Sequence, residues 1–165
     1  MKTLYLVRHA KSSWKEAELS DHNRPLNKRG EHDAPRMGQR LRKRNPLPEV
    51  IISSSAVRAK TTATILAGEI GFPQSAITID ERLYGASPKD VESIICELDD
   101  TVHCAMLVGH NPTFTDLINT LGNCDIDNVP TCGMAMLAFS IEKWNEVTPG
   151  NGELLDFDYP KKEPE

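Results

Sequence analysis

Hydrophobic positions in this chain fall into short solid blocks, separated by longer stretches in which they recur every three or four residues. Blocks at 3–7, 50–53, 77–79 and 104–108 each predict a strand buried on both faces. Between them, Ala34, Met37 and Leu41 predict a helix that starts after Asn27. Pro35 interrupts it, so either a first turn over 28–33 breaks there, or the helix begins near Asp33 with Pro35 in its opening turn. A second stripe, Ala59, Thr62, Ala63, Leu66 and Ile70, predicts a helix capped by Ser54 or Ser55 and stopped at Gly71-Phe72-Pro73. Ser87 and Pro88 predict the cap and first residue of a helix reaching Leu98. Pro112 opens another, with Phe114, Leu117, Ile118 and Leu121 on one face. Two late strands, at 134–139 and 153–157, read as antiparallel, and 160–165 reads as a charged, frayed tail.

Strand and helix alternate four times before those last strands. The pattern predicts one α/β domain over 1–159: a three-layer α/β/α sandwich with a mostly parallel central sheet, helices on both faces and a late antiparallel edge. Such sheets hold ligands outside the carboxyl ends of their strands. Arg8-His9, Ser53-Ser54 and Gly109-His110 follow three of the predicted strands, so they converge on one rim. Neither a Gly-x-Gly-x-x-Gly nor a P-loop signature occurs, which removes dinucleotide and P-loop readings.

Composition narrows the class further. A chain of 165 residues suffices for a single well-buried core. No apolar run approaches the roughly 20 residues of a membrane-spanning helix, and Arg8 and His9 cut short the apolar stretch at the start, so a cytoplasmic protein away from membranes is expected. Cys96, Cys104, Cys124 and Cys132 include no close pair, which favours buried thiols over a zinc site. The net charge of −5 conceals an asymmetry: residues 1–60 carry 14 Lys and Arg against 6 Asp and Glu, and residues 61–165 carry 5 against 18. That is not the charge of a nucleic-acid binder, but it allows a local anion site in the first third. The basic run from Lys28 to Arg44, with Arg36, Arg40, Arg42 and Lys43, reads as a solvated helix face or a docking face for an acidic partner. It lacks the aromatic platforms of nucleic-acid recognition.

The rim residues carry the candidate chemistry. Arginine presents a planar fork of donors matched to phosphoryl oxygens, which suits Arg8 and Arg58 to an anion site. A nucleophilic imidazole needs one nitrogen unprotonated and the other held by an acceptor, and His9 and His110 are the candidates. Glu81, just after the third strand, is a candidate proton donor. Cationic neighbours oppose a divalent metal at His9, His22, His103 or His110.

Together these residues form a recognisable pattern. Its pieces are Leu6-Val7-Arg8-His9-Ala10-Lys11-Ser12, Asp21 with Arg24-Pro25-Leu26-Asn27-Lys28-Arg29-Gly30, Ser53 to Thr62 around Arg58, Glu81-Arg82-Leu83-Tyr84-Gly85, and Val108-Gly109-His110-Asn111-Pro112. The chain resembles the histidine phosphatase, or phosphoglycerate mutase-like, superfamily, and within it the short bacterial phosphohistidine phosphatases. The resemblance implies that His9 is a nucleophile forming a covalent phosphohistidine and that Arg8, Arg58 and His110 complete a phosphate pocket. It further implies that Glu81 occupies the acidic position where larger relatives keep a proton donor, that Ser12 and Arg24 shape the pocket's edge, and that no metal or cofactor is used. Ala10 stands where glycine is frequent in the superfamily. Larger relatives insert a helical cap after the third strand, and here only 80–87 fills that interval. An open rim suits a phosphorylated side chain on a protein better than a small sugar phosphate. The implied activity is hydrolysis of phosphohistidine in a protein by a chain able to act as a monomer. The alternatives are a small-molecule phosphomonoesterase with the same site, or a non-catalytic module that binds a phosphorylated ligand. If Glu81 is the proton donor, Glu81→Gln costs more with alkyl phosphates than with phosphohistidine.

Overall fold

The computed structural model describes residues 1–162. Six strands form one mixed sheet in the order β3-β2-β4-β1-β5-β6. They are β1 (Lys2–Arg8), β2 (Val50–Ser53), β3 (Thr78–Ile79), β4 (Cys104–Gly109), β5 (Met134–Phe139) and β6 (Gly152–Asp158). The first four pair in parallel, while β5 and β6 complete the sheet in antiparallel register beside β1. Helices α1 (Lys28–Arg42) and α2 (Val57–Ile70) cover one face, and α3 (Pro88–Cys96) and α4 (Thr113–Gly122) the other. The chain is therefore the predicted three-layer α/β/α sandwich.

Alternation along β1 shows why both faces must be covered. Leu4 and Leu6 pack with Phe114, Leu117 and Ile118 of α4, while Tyr5 and Val7 pack with Met37 and Leu41 of α1 and Leu66 of α2. Each strand residue is buried on one side or the other, so β1 reads as a solid apolar block. Because β4 lies between β2 and β1, their carboxyl ends stand side by side.

Several local expectations are corrected. Helix α1 runs unbroken through Pro35 from an Asn27 cap whose side chain accepts from the Gly30 N–H at 2.9 Å. A proline inside a helix costs about 3 kcal/mol. Complete burial of Met37 and Leu41 returns about 1.5–3 kcal/mol each, enough to keep the helix whole. Neither Ser54 nor Ser55 caps α2; its N-cap is Ala56. Strand β3 keeps only Thr78 and Ile79, both exposed at the sheet edge, and α3 ends at Cys96 instead of Leu98.

The basic face of α1 is engaged within the chain. Arg40 donates to Asp158 Oδ1 at 2.9 Å, and Arg44 pairs with Asp156 at 2.6 Å and Asp158 at 2.8 Å. The acidic excess of the C-terminal third thus meets part of the basic excess of the first across α1 and β6. Residues 160–162, expected to fray, are tied back by Arg40, which donates to the Tyr159 and Lys162 carbonyls. Residues 163–165 of that expected tail lie outside the described residues.

Candidate active site

At the carboxyl ends of β1, β2 and β4 lies a cavity of about 860 Å³, with Arg8, His9, Arg58 and His110 in its wall. These four, expected on one rim from sequence, come together there. The His9 and His110 rings stand 5.2 Å apart between centroids. Gly109, at the root of His110, packs directly on Phe114 of α4. A Cβ there would sit 2.5 Å from the phenyl ring, so the close approach requires glycine.

His9 is held at main chain and side chain. Its N–H donates to the Gly109 carbonyl, and its carbonyl accepts from the Cys132 N–H, both at 3.0 Å. Nδ1 lies 2.7 Å from the Ala10 carbonyl, which can only accept, so Nδ1 carries the proton and Nε2 keeps its lone pair. The Ala10 N–H is anchored to Thr62 Oγ1 on α2 at 3.0 Å, which steadies the acceptor. Nε2 meets only the Nε–H of Arg58, at a long 3.4 Å. The imidazole is thus poised with a free nitrogen toward the cavity's cations.

Burial lowers the His9 pKa to about 4, and the positive charges of Arg58, Arg8 and Arg24 push it the same way, against the Ala10 hydrogen bond. Burial, followed by His9 and Arg58, lowers His110 to about 3. Both rings are neutral at pH 7. An unfolded histidine titrates near pH 6.5, so between about pH 6.5 and pH 4 the unfolded chain binds more protons than the folded one. These histidines therefore remove stability as pH falls through that window. A histidine C–H NMR titration should show the His9 midpoint near pH 4. A midpoint near 6.5 would mean that the ring is neither buried nor surrounded by cations as described.

The arginines divide the work. Arg8 donates from Nη1 to the Val129 carbonyl at 2.9 Å. Its buried Nε has no partner among the described residues. Arg58 is 5% exposed on the first turn of α2. Besides reaching His9, it donates to the Asp21 carbonyl at 2.6 Å and to Asp21 Oδ2 at 3.0 Å. Arg24 grips Asp21 Oδ1 through Nε and Nη2, donates to Ser12 Oγ, and lies 3.5 Å from the ring of Trp14. Ser12 and Arg24 line the cavity, but their mutual bond and Asp21 occupy most of their capacity.

Sequence reasoning missed three residues here. Asp21 is the only carboxylate lining the cavity among the described residues. Its oxygens accept from Arg24, Arg58 and the Tyr84 hydroxyl, the last at 2.7 Å. Those bonds, Tyr84 first, hold its pKa near 2. Tyr84 itself stands edge-on to both His22 and His110. Ser54, expected as a helix cap, instead contacts His110 Nε2 at 2.7 Å and accepts from the Ala56 N–H. All three stand within the quoted motifs, and Ser54 on the predicted rim, but no sequence feature assigned any of them a role at the site.

Glu81 is not brought to the cavity. It is exposed on a short 3-10 turn, Glu81–Leu83, in which Leu83 packs into the core; Tyr84 and Gly85 then line the cavity in its place. Five cations, Arg8, Lys11, Lys15, Arg24 and Arg58, face a single carboxylate, so the cavity is built for an anion. Lys11 is held there by its main chain, packed so closely on Gly30 of α1 that a Cβ on Gly30 would lie 2.2 Å from the Lys11 carbonyl oxygen. Among the described residues, no group of three or more His, Cys, Asp or Glu could hold a metal ion. No helix among them is long and apolar enough to cross a membrane.

Residues 4–102 match the family model described as histidine phosphatase superfamily (branch 1). An uncharacterised protein of Mycobacterium tuberculosis is 33% identical over 165 residues, covering 94% of this chain and all of that one. An uncharacterised chloroplastic protein of Arabidopsis thaliana is 31% identical over 152 residues, covering 87% of this chain and 69% of its own. Among solved structures, a protein of Agrobacterium tumefaciens provisionally described as the phosphohistidine phosphatase SixA superposes with a TM-score of 0.82 at 28% identity, covering 96% of this chain and 98% of that one. A tungstate complex of the protein histidine phosphatase SixA gives 0.81 at 20% identity, covering 96% and 97%, a likeness of fold.

Proposed function

Since the chain belongs to the histidine phosphatase superfamily, we propose that it hydrolyses phosphohistidine on a protein and carries the phosphoryl group transiently on His9. His9 Nε2 attacks phosphorus in line and the bond from phosphorus to the substrate imidazole breaks; that imidazole, protonated beforehand on its other ring nitrogen, leaves neutral, with a lone pair on the nitrogen that held phosphorus. Water then attacks the phosphorus of the phosphoenzyme, inorganic phosphate departs, and His9 regains its lone pair. Arg8, Arg58 and His110 stabilise charge on the equatorial oxygens. Ser54 orients His110, and Asp21 positions Arg24 and Arg58.

The observation that carries the substrate class is the absence of an available carboxylic acid from the cavity's described lining. Asp21 is held ionised, and its oxygens are already filled by donors. The Tyr84 proton is committed to Asp21. Glu81 is exposed and lies outside the lining. An alkyl phosphate leaves as an alkoxide and needs an acid to protonate it; a phosphorylated imidazole that takes a proton from water on its distal nitrogen before the reaction leaves as a neutral, weak base and needs no acid in the cavity. The likeness to the Agrobacterium tumefaciens protein provisionally described as the phosphohistidine phosphatase SixA agrees with this reading. So does the short 80–87 segment, which leaves the rim open to a protein surface.

A general acid contributes about 10²–10⁴-fold. Turnover of a phosphohistidine protein is accordingly expected to exceed that of an alkyl monoester by at least about 10²-fold in kcat/KM. Glu81→Gln, with the residue outside the cavity, is expected to change either activity less than about threefold, far below what loss of a general acid does. A selective 10²-fold loss with the ester would put Glu81 back in the proton donor's role.

A further inference from the structure

A second cavity of about 290 Å³ adjoins the first, and Lys11 and Thr131 stand in the walls of both. The rest of its wall includes Arg29 and Asp33 on α1 and Tyr159 and Lys161 after β6. Asp33 is 3% exposed. Its Oδ2 accepts from Arg29 Nε at 3.1 Å, while Oδ1 has no partner among the described residues. A buried carboxylate oxygen left without a donor is costly, and Oδ1, itself sealed from solvent, leaves Arg29 as the side-chain partner of Asp33 in the pocket wall. Lys11, Arg29 and Lys161 outnumber that one carboxylate, and the surplus favours an anion beside it.

We propose that this pocket binds the stretch of the phosphoprotein next to the phosphorylated histidine. An acidic side chain of that stretch lies against Lys11, Arg29 and Lys161. The proposal rests on the phosphohistidine-protein reading and extends it to sequence preference. The shared wall supports the same occupant: a chain whose phosphoryl group sits at His9 reaches the second pocket by passing Lys11 and Thr131. At about 290 Å³ the pocket is of the size for one side chain and its amide, near the lower bound for ligand sites.

The test uses phosphohistidine peptides carrying Glu or Gln at successive positions on either side of the phosphorylated residue, with kcat/KM measured on the full chain. At one position Glu is expected to be preferred about three- to tenfold, through KM. Lys161 is exposed, so reversing its charge does not threaten the core. Lys161→Glu should invert the preference at that position, and Lys161→Ala should reduce it. Equal rates at every position, or a Glu preference that survives Lys161→Glu, would overturn the pocket's role while leaving phosphohistidine hydrolysis intact. Failure to turn over any of the peptides or a phosphohistidine protein would overturn the reading beneath it, and this inference with it.

Discussion

Substituting His9 by alanine is expected to lower turnover of a phosphohistidine protein by about 10⁴-fold or more, since the remaining cations can bind the phosphoryl group while Nε2 of the other histidine in the cavity, His110, is engaged by Ser54. The variant should fold. The two bonds that seat residue 9 run through its main-chain N–H and carbonyl, and neither needs the imidazole. The side chain gives up only its Nδ1 bond to Ala10 and the long contact with Arg58. Phosphate binding should survive, because Arg8 and Arg58 keep their main-chain and Asp21 anchors. Retention of more than a tenth of the turnover would exclude a covalent route through His9.

The second large effect falls on Arg58. Removing a donor aimed at developing charge costs about 10²–10³-fold in rate, and Arg58→Ala is expected to lose at least that. Arg58 does more than contribute charge: Nε faces the nucleophile while the two terminal nitrogens clasp the Asp21 carbonyl and carboxylate. A lysine restores a point charge but not the planar fork, so Arg58→Lys should recover no more than about tenfold of the loss. Full recovery by lysine would mean that the site requires charge alone, and an alanine variant within tenfold of the parent would remove Arg58 from the machinery. Turnover of the same phosphoprotein by both variants decides between these outcomes.

How much of this was legible in the sequence depended on whether each feature was local. Solid apolar blocks at 3–7 and 104–108 located β1 and β4, and the residues directly after them, His9 and His110, had to share a rim once the strands were parallel neighbours. Arg58 was legible for the same reason, one short turn beyond β2. Asp21 was not, because it lies in an irregular loop and its partners Arg58 and Tyr84 are 37 and 63 residues away. Glu81 misled because its position after the third strand fixes the rim but not the direction of the side chain; the 3-10 turn that buries Leu83 leaves Glu81 exposed. Ser54 was assigned by its propensity to cap, and a tertiary contact with His110 proved the stronger demand. The basic face of α1 looked like a surface seeking a partner because the acids that meet Arg40 and Arg44 lie more than 110 residues downstream on β6.

The exposed ring of Trp14 and the neighbouring pocket at Asp33 both border the cavity that holds His9. The proposed chemistry begins on one nitrogen, His9 Nε2. The most direct measurement is a brief exposure of the chain to a radiolabelled phosphohistidine protein, followed by quenching and mapping of the label. An acid-labile, base-stable adduct on His9, lost in His9→Ala, is the expected result. Turnover with no adduct under fast quenching, an acid-stable adduct, or a label on any other residue would contradict the covalent route through His9.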